Sequence, residues 1–492
     1  MNLIKNNKTL PILVLLAFLA SGFSQVQASS TQQDVTPTGT ATPIVAVTET
    51  PTATDESSQT SDASLPVDPN AIALSDWPQV QRDSQHSGYY PAALGGNFAV
   101  TWRHAFQPEK VFPQVQAIVA SGKVFVGTEM GNLYALNATN GAQAWKFSAN
   151  GPILNSVAVD GGRVFFGAMD GAVYAVDANT GNQVWKAQLS QFLGFSTAPV
   201  IADGKVMLGG RNGIFYALNP ANGNVIWSYD AGSPILMTAA WNGGKAYFGA
   251  MNMRVYAITT SSGSLAWQSP RIAGLTFKDY WPVVSGGMVY VRPMNFGYVG
   301  FDSTGYSQIL SASAQNQLLA QYDANPSSFE TSMVRLNESN GQLAPMVIHY
   351  NFQTMNGATA PPCINRDGSN LVMPIWLPVR EWFTGWGLLN PSSRVMVDAF
   401  TDGNDGGGNN DENMAVTCAQ NMVIAMHIEE ENANFTGFFN LDTRQWTRID
   451  AGARNRQMSN NTQGGGANPA SIASGWVYHI TFYELIARNT NQ

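Results

Sequence analysis

The five histidines of this 492-residue chain are the side chains best suited to metal binding or acid–base chemistry near neutral pH. They are scattered along the sequence, and no two of them have the HExxH spacing or another zinc-ligand spacing. A GxSxG nucleophile elbow and a phosphate-binding P-loop are also missing from the sequence. The histidines are His86, His104, His349, His427 and His479.

An oxygen-rich segment is the strongest candidate for a metal site. Asp402, Asn404 and Asp405 lie close together, and Asn409-Asn410-Asp411-Glu412 follows after three glycines. Calcium prefers six or more oxygen ligands, which such side chains supply. The spacing does not match an EF-hand, and a glycine-rich surface loop has the same composition. Calcium binding and a plain surface loop therefore both stay open.

A second candidate site is the aromatic segment from Trp376 to Trp386, which reads WLPVREWFTGW. Exposed tryptophan beside arginine is typical of surfaces that bind sugars or partner proteins. Burial within a sheet explains Trp386 and Trp376. Arg380, Trp382 and Phe383 are then the candidates for contact with a protein partner or a glycan.

Composition excludes several function classes. Only 12% of the residues are charged, and the formal net charge is −8. No basic run longer than two residues occurs after residue 70, so nucleic acid and anionic membranes are unlikely electrostatic partners. Two cysteines, Cys363 and Cys418, are too few for a disulfide-rich scaffold or a thiolate zinc cluster.

The first 28 residues have the pattern of a secretory signal peptide. Lys5 and Lys8 precede an apolar run from Leu10 to Phe23, and Val26-Gln27-Ala28 is a small-residue cleavage site. The run is shorter than the ~20 residues that span a bilayer. We therefore predict cleavage after Ala28 and an exported protein, extracellular or periplasmic. It is not lipidated, because the first cysteine is Cys363.

Residues 29–70 are rich in threonine, serine and proline, as in Thr36-Pro37-Thr38 and Glu49-Thr50-Pro51-Thr52. Such a segment buries too little apolar surface to offset its ordering entropy, so we predict a disordered linker. It is either a spacer from a cell surface or a leader with no specific role.

A repeat of about forty residues determines the predicted fold. Four segments align without a gap, and in each a tyrosine, a glycine and a tryptophan recur at offsets of 12, 19 and 23 from the first residue. The segments are Gly122–Trp145, Gly162–Trp185, Gly204–Trp227 and Gly244–Trp267, which end at the structural tryptophans Trp145, Trp185, Trp227 and Trp267. Their β-branched and aromatic runs are broken by Asn-Gly and Asp-Gly turns, which indicates hairpins and excludes helices.

These repeats predict an all-β protein, an eight-bladed β-propeller of four-stranded antiparallel blades over residues 71–492, with seven or nine blades as alternatives. Phe98–Trp102 supplies the missing outer strand of the last blade, which closes the ring. In the fifth unit Tyr298 and Gly305 take the repeat positions, and in the sixth Val397 takes the tryptophan position. Residues 306–362 are left as an insertion, with a short helix near Gln315–Tyr322 and a hairpin over Val334–Ile348.

The segment AVDANTGNQVW, which ends at Trp185, resembles the tryptophan-docking repeat AxDxxTGxxxW of the pyrroloquinoline-quinone (PQQ) dehydrogenase-like family. The opening Asp76-Trp77-Pro78-Gln79 and His86-Ser87-Gly88 also resemble the start of many secreted members. The family includes quinone-dependent dehydrogenases and non-enzymatic propellers such as the assembly lipoprotein BamB. Its enzymes typically carry a vicinal disulfide and a calcium held by Glu and Asn beside a catalytic Asp.

This sequence departs from the enzymes of the family. Cys363 and Cys418 are not adjacent, and the enzymes' flanking motifs find no match. The resemblance therefore favours the non-enzymatic, BamB-like branch. Each cysteine precedes the second strand of its unit, so a disulfide between neighbouring inner strands and a pair of buried thiols are the two alternatives.

In the cofactor-binding relatives, ligands lie at the rim where the innermost strands begin. The corresponding polar residues here either form a ligand site or only line a solvated channel mouth. They are Gln114, Gln116, Asn155, Ser156, Thr197, Thr238, Lys278 and Asp279.

Together these patterns predict an exported, non-catalytic propeller that binds protein or polysaccharide partners, expected to be a monomer without a bound cofactor. The alternative is a redox enzyme with PQQ and calcium.

Overall fold

The computed structural model describes residues 72–277, 280–293, 312–325, 333–346, 360–365, 368, 370–377, 383–401, 416–429, 433–448, 468–480 and 483–490. The chain divides into two units, Met1–Thr52 and Ala53–Gln492, and every described residue belongs to the second. The predicted signal peptide (1–28) and linker (29–70) lie outside the described residues. Among the residues described, no helix has the length and apolarity needed to cross a membrane.

Eight blades of four antiparallel strands form the described part of the propeller, as predicted, and in blade seven a fifth, parallel strand adds to the innermost one. Two strands precede the first complete blade, β1 (Tyr89–Tyr90) and β2 (Val100–Ala105). Blade one contains β3 (Ile118–Ala120), β4 (Lys123–Gly127), β5 (Asn132–Asn137) and β6 (Gln143–Ser148). Blade two contains β7 (Ala158–Asp160), β8 (Arg163–Gly167), β9 (Ala172–Asp177) and β10 (Gln183–Gln188). Blade three contains β11 (Val200–Ala202), β12 (Lys205–Gly209), β13 (Ile214–Leu218) and β14 (Val225–Asp230). Blade four contains β15 (Ala240–Asn242), β16 (Lys245–Ala250), β17 (Arg254–Thr259) and β18 (Ser264–Gln268).

The second half of the ring is less regular. Blade five contains β19 (Val283–Ser285), β20 (Met288–Val291), β21 (Val334–Asn337) and β22 (Leu343–Pro345), with helix α1 (Ala312–Ala324) between β20 and β21. Blade six contains β23 (Cys363–Ile364), β24 (Leu371–Leu377), β25 (Phe383–Asn390) and β26 (Val395–Thr401). Blade seven contains β27 (Thr417–Ala419), β28 (Met422–Glu429), β29 (Ala433–Asn440) and β30 (Gln445–Arg448). Blade eight contains β31 (Ser471–Ala473), β32 (Trp476–Ile480) and β33 (Glu484–Asn489).

The two ends of the propeller meet in blade eight. Strand β2 pairs antiparallel with β33, so that residues from before blade one complete the last sheet. The predicted closing strand is thereby confirmed, with bounds Val100–Ala105 rather than Phe98–Trp102. Closure leaves no blade with a missing strand, which removes one open sheet edge.

Tryptophan docking joins the blades of the regular half. Each tryptophan near the outer strand donates its indole N–H to a carbonyl in the turn between the third and fourth strands of the next blade. The five bonds are Trp102 to Ala138 (3.1 Å), Trp145 to Ala178 (3.1 Å), Trp185 to Pro220 (3.0 Å), Trp227 to Thr260 (2.8 Å) and Trp267 to Glu338 (2.8 Å). The same turn holds the repeated glycine against the indole, so a Cβ at Gly181 would lie 2.6 Å from a Trp145 ring carbon.

The repeated tyrosine has a role inside its own blade. Tyr174 donates its hydroxyl hydrogen to Asp170 Oδ2 at 2.6 Å, which ties the third strand to the turn that precedes it. Asn252 Nδ2 donates to Tyr256 Oη at 2.7 Å in the same arrangement. The ring is buried between sheets while its hydroxyl fixes the turn.

Blade five differs from the prediction. The hairpin β21–β22 is its outer half, because β21 pairs with β20, and the extra chain lies within the blade over residues 292–333. The sequence predicts an insertion here because Tyr298 and Gly305 lie 12 and 19 residues after Gly286, at the offsets of the repeated tyrosine and glycine. Those two residues lie outside the described ones. The physical reason for the observed pairing is the docking turn, since Gly341 is the glycine that lies against Trp267.

Charged pairs replace tryptophan docking in the irregular half. Arg394 and Arg444 occupy the position of the docking glycine, with φ values of 62° and 58°. Arg394 makes two bonds of 2.6 Å with Asp323 on α1, and Arg444 pairs with Asp398 of blade six. The prediction that Val397 takes the tryptophan position is wrong, because a bulge leaves Val397 unpaired and pairs Asp398 with Leu388.

Gly181→Ala tests the tryptophan dock. The added methyl group would collide with Trp145, whereas Gly204→Ala has the same left-handed φ and open space around its Cβ. The left-handed backbone costs about 1–2 kcal/mol in both variants. We expect Gly181→Ala to lose about 1–3 kcal/mol more free energy of unfolding, by urea denaturation, because of overpacking. Equal losses would contradict a dock at this position.

Asp323→Asn tests the charged dock. Hydrogen bonds from Arg394 hold the pKa of the Asp323 carboxyl below its usual range. A depressed acid pKa stabilises the folded state above pH ~4 and loses this effect as pH falls through the folded value. Because Asp323 is half exposed, we expect a loss of about 0.5–1 kcal/mol at pH 7. The difference from wild type should shrink towards pH 2–3.

Candidate functional site

The axis of the ring is occupied by the protein's own chain. Residues 74–88, which we call the axial strap, run past the innermost strands of all eight blades in order. Backbone N–H groups of the blades donate to the strap in every case. The bonds are Ser474 to Leu74 O (2.7 Å), Val119 to Trp77 O (3.0 Å), Val159 to Pro78 O (2.8 Å), Ile201 to Gln79 Oε1 (3.0 Å), Trp241 to Ser84 O (2.6 Å), Val284 to Gln85 O (2.9 Å), Ile364 to Ser87 O (2.8 Å) and Cys418 to Gly88 O (2.8 Å).

These bonds solve a problem that the fold itself creates. Apart from β27, with which β1 pairs in parallel, the innermost strand of each blade is an edge strand, and its outward N–H groups point towards the axis. A buried, unpaired N–H costs free energy comparable to a lost hydrogen bond. The strap supplies one acceptor to each blade, and from Trp77 to Gly88 its residues are buried or half-buried.

The strap holds its shape through Asp83. The Asp83 carboxylate accepts hydrogen bonds from the backbone N–H of Gln85 and of Ser87, both at 3.0 Å, and from the Ser87 hydroxyl. Burial raises the pKa of the Asp83 carboxyl, and the bonds from Ser87 oppose that shift. The strap therefore turns at a buried carboxylate between its contact with blade three, at Gln79, and its contacts with blades four to seven, which begin at Ser84.

His86 fixes the strap to blade five. Its Nδ1 lies 3.0 Å from the carbonyl oxygen of Pro282, and its ring meets the edge of Trp281 at a centroid distance of 6.0 Å. Burial lowers the pKa of His86 to about 4, so the ring is neutral at pH 7. A neutral imidazole with Nδ1–H donating to Pro282 satisfies this contact.

Four of the predicted rim residues form a second ring of hydrogen bonds, which we call the polar collar: Gln116, Asn155, Ser156 and Thr238. Gln116 N donates to Ser156 Oγ at 2.8 Å, and Ser156 N donates to Asn155 Oδ1 at 2.8 Å. Asn155 Nδ2 donates to the carbonyl of Ser196 at 3.0 Å. These bonds connect blades one, two and three.

The collar continues in both directions. Thr238 N donates to the Tyr280 carbonyl at 2.8 Å, and its hydroxyl accepts from Ala198 N at 2.9 Å. On the other side Gln116 Nε2 donates to the Ala470 carbonyl at 2.8 Å, which also accepts from Thr417 Oγ1. The collar thus reaches from blade seven through blade eight to blade five. Gln116 also accepts from Gln81 N of the strap at 2.7 Å.

The remaining rim residues are not part of the collar. Thr197 donates to the Gly209 carbonyl of its own blade at 2.7 Å, and Gln114 is half-buried. Lys278 and Asp279 lie outside the described residues. The collar residues are buried and their polar groups bond to neighbouring blades and to the strap.

Cys363 and Cys418 are joined as a disulfide, with 5.8 Å between their Cα atoms. They lie on β23 and β27, the neighbouring inner strands of blades six and seven. The metal candidates Asp402, Asn404 and Asp405 lie outside the described residues, as do Arg380 and Trp382. Phe383 begins β25, and its side chain is outside the described part. Within the described ranges, no group of three or more His, Cys, Asp or Glu residues could hold a metal ion.

The two faces of the propeller differ strongly in the length of their connections. On one face, the turns after each first and each third strand contain two to six residues. On the other, which we call the loop face, every connection between blades is longer. These connections are residues 106–117, 149–157, 189–199, 231–239, 269–282, 346–362, 402–416 and 449–470. Residues 292–333 within blade five also lie between strand ends on the loop face.

Two further features belong to the loop face. The hairpins β24–β25 and β28–β29 are two to three residues longer per strand than the matching strands of blade one. At ~3.3 Å per residue they extend roughly 7–10 Å further. Phe192, in the connection 189–199, is 91% exposed, and Leu193 beside it is 49% exposed.

Sequence reasoning missed the strap, the loop-face pair Phe192–Leu193 and the charged docks. The strap lies in the segment already noted for Trp77-Pro78 and His86-Ser87-Gly88. Within it, the Asp83 carboxylate accepts hydrogen bonds from the backbone N–H groups two and four residues later. That Asx spacing was the available signal. Phe192 follows Ser190-Gln191 in a stretch without strand periodicity, and the nearby Phe195 is buried, so the sequence does not show which of the two is exposed.

Asp83→Ala tests the strap. The substitution leaves the N–H groups of Gln85 and Ser87 without their acceptor, at about 1–3 kcal/mol each. We expect a loss of at least ~2 kcal/mol in the free energy of unfolding, followed by tryptophan fluorescence in urea. Asp83→Asn should lose less, because its amide oxygen still accepts. A loss no larger than that of the exposed control Asp160→Ala would contradict a structural strap.

Comparison with known proteins agrees with this architecture. Residues 97–238 match a family model described as outer membrane protein assembly factor BamB. Quinohemoprotein alcohol dehydrogenase from Comamonas testosteroni superimposes with a TM-score of 0.58 at 12% identity, covering 86% of this chain and 81% of that one. A europium-containing methanol dehydrogenase gives a TM-score of 0.59 at 10% identity, covering 85% and 98%. BamB from Moraxella catarrhalis gives 0.49 at 12% identity, covering 79% and 99%.

No curated protein matches the sequence. The two likenesses with the higher TM-scores have only 10–12% sequence identity, so they show the fold and not the activity. The matched family model covers less than a third of the chain, within the part where the repeats are most regular. Residues 97–238 are thus similar to the PQQ-like repeat family, and the described sheets form an eight-bladed propeller.

Proposed function

We propose that this protein is an exported, non-catalytic propeller scaffold that binds a protein partner through its loop face, in the cell envelope or outside the cell. The observation that carries the proposal is the concentration of all long connections on that face. In repeat proteins, insertions that collect on one face commonly build the binding surface.

The filled axis supports a role without catalysis. The rim where the family's enzymes hold their quinone is used here for the polar collar and the strap. A ligand at the axis would have to displace hydrogen bonds that connect the blades. The proposal therefore places recognition on the outside of the ring and assigns the axis to stability.

Phe192 is the best-supported anchor for a partner. It is almost fully exposed, yet its connection is tied down on both sides. Before Phe192, Ser190 N donates to the Gly171 carbonyl at 3.0 Å, and after it Phe195 N donates to the Ala168 carbonyl at 3.1 Å. A large aromatic ring on a fixed backbone loses little conformational entropy on binding, which is typical of interface hot spots. An apolar segment of a protein fits this anchor.

Two other expectations support the location and the surface. The pattern of residues 1–28 favours export, and the linker 29–70 would hold the propeller away from the point of attachment. The aromatic candidates Arg380, Trp382 and Phe383 follow β24, whose end at Leu377 lies on the loop face. We propose them as a second part of the same binding surface.

Site-specific photo-crosslinking tests the proposal. Benzoylphenylalanine is placed at Phe192 on the loop face and, as a control, at Val225, which is 46% exposed on the outer strand β14. In intact cells of the source organism we expect a discrete protein adduct from position 192 and none from 225. Equal amounts of adduct from positions 192 and 225, or no adduct from either position, would contradict the proposal.

The affinity between the purified protein and the purified crosslinked partner is then measured. Phe192→Ser should weaken binding of the crosslinked partner at least about tenfold, or 1.4 kcal/mol, without changing the melting temperature. Val225→Ser should leave affinity unchanged. Addition of PQQ with calcium to the purified protein should produce no quinone absorption band. Stoichiometric uptake with dye-linked alcohol or sugar oxidation would instead establish a dehydrogenase.

A further inference from the structure

The end of the axial strap lies directly on the disulfide between blades six and seven. Cys418 N donates to the Gly88 carbonyl, and Ile364 N, next to Cys363, donates to the Ser87 carbonyl, both at 2.8 Å. The chain then continues as β1, which pairs in parallel with β27, with Tyr89 opposite Cys418. The strap is therefore bonded to both strands that the disulfide joins.

Contact at Gly88 is so close that only glycine fits. An added Cβ would lie 3.0 Å from Cys363 Cβ and would collide with the Gln81 side-chain oxygen. The residue also has φ of +61°, which disfavours any side chain. Gly88 thus leaves no room for a side chain between the strap and Cys363.

The other sides of the disulfide are covered by the blades. Both cysteines are fully buried, in a cluster with Val372, Val416, Val423 and Phe439, with Tyr89 packed against it. Thiol–disulfide exchange needs a thiolate to reach a sulfur atom, so a buried disulfide reacts only when something moves away. Among the described residues around the disulfide, the strap end lies outside the four antiparallel strands of blades six and seven, so it can move away without dissolving either blade.

We propose that the axial strap is a gate over the Cys363–Cys418 disulfide, so that displacement of the strap makes the disulfide reducible and frees blades six and seven from each other. The reductant is a dithiol: its thiolate attacks one sulfur, the mixed disulfide is resolved by its second thiol, and two electrons and two protons yield the Cys363 and Cys418 thiols. The dithiol becomes a cyclic disulfide. Blades six and seven are sensitive to this change because they have a charged pair, Asp398–Arg444, in place of a tryptophan dock.

The disulfide in turn stabilises the bound position of the strap. With the disulfide formed, the inner strands of blades six and seven are held in the spacing that the strap needs for its bonds to Ile364 and Cys418. Reduction weakens that site for the strap end. Strap binding and disulfide stability therefore reinforce each other by linkage.

The test is the rate of reduction by dithiothreitol in native buffer, with new thiols trapped by N-ethylmaleimide and counted by mass spectrometry. Gly88→Ala displaces the strap end, and Gly204→Ala is the matched control, with the same left-handed backbone and open space at its Cβ. Ser87→Ala is a milder second variant if Gly88→Ala does not fold, because it removes the hydroxyl that donates to Asp83 and accepts from Tyr89 N at 3.3 Å and leaves Gly88 in place.

We expect the wild-type disulfide to be reduced no faster than the protein unfolds. Gly88→Ala should be reduced at least about tenfold faster than Gly204→Ala, and Ser87→Ala should fall between wild type and Gly88→Ala. Rapid reduction of the wild-type protein at the rate of an exposed disulfide would overturn the gate. The same conclusion follows if neither strap variant is reduced faster than Gly204→Ala.

Discussion

The hydrogen bonds that the innermost strands make towards the axis are the constraint on which this structure depends. A ring of eight sheets directs eight strand edges into a narrow space, where an unpaired N–H group is buried and costly. Many rings leave room for water or a ligand at such a place. Here a single chain segment makes one circuit and offers each blade an acceptor, mostly a backbone carbonyl. Since the circuit begins at blade eight and ends at blade seven, it links the blade that closes the ring to its neighbours on both sides.

Neighbouring blades contact each other through the turn between the third and fourth strands, and the chemistry of this contact differs between the two halves of the ring. In the regular half an indole covers a glycine in the next blade's turn, a contact that depends on shape and burial. In the irregular half an arginine takes the place of that glycine and pairs with an aspartate. Charged pairs near the surface contribute less and depend on pH and salt. The irregular half is also where the longest loop-face connections lie, and where the disulfide and α1 provide additional links.

Much of the fold followed from the repeat, because the tryptophan dock requires a large ring at one position and glycine at another. Replacement of Trp185 or Gly223 would remove the packing of the indole against the glycine, so the same spacing recurs in the four aligned segments. Blade five was assigned wrongly at its third strand because residues 292–333 separate two halves of one sheet, and counting offsets cannot detect a displaced hairpin. The charged docks were invisible for a different reason: Asp323 lies on a helix far from Arg394 in sequence, and an arginine with positive φ carries no propensity signal.

The axis shows the limit of sequence reasoning most clearly. Polar rim residues such as Asn155 and Gln116 suit a ligand site and a collar of internal bonds equally well. The axial strap decides between these two possibilities, because it occupies the axis. It accepts hydrogen bonds mostly through backbone carbonyls, which every residue has, so its sequence gives no sign of this role. Only the buried Asp83 and its spacing to Ser87 distinguish that segment from an ordinary loop.

Native-state hydrogen exchange of the inner-strand amides tests this account most directly. The strap predicts that the N–H groups of Val119, Val159, Trp241 and Val284 exchange as slowly as the global unfolding of the propeller allows, although each lies on the edge of its sheet. Exchange of these amides at the rate of exposed edge strands, while the neighbouring second strands stay protected, would show an open axis and contradict the account.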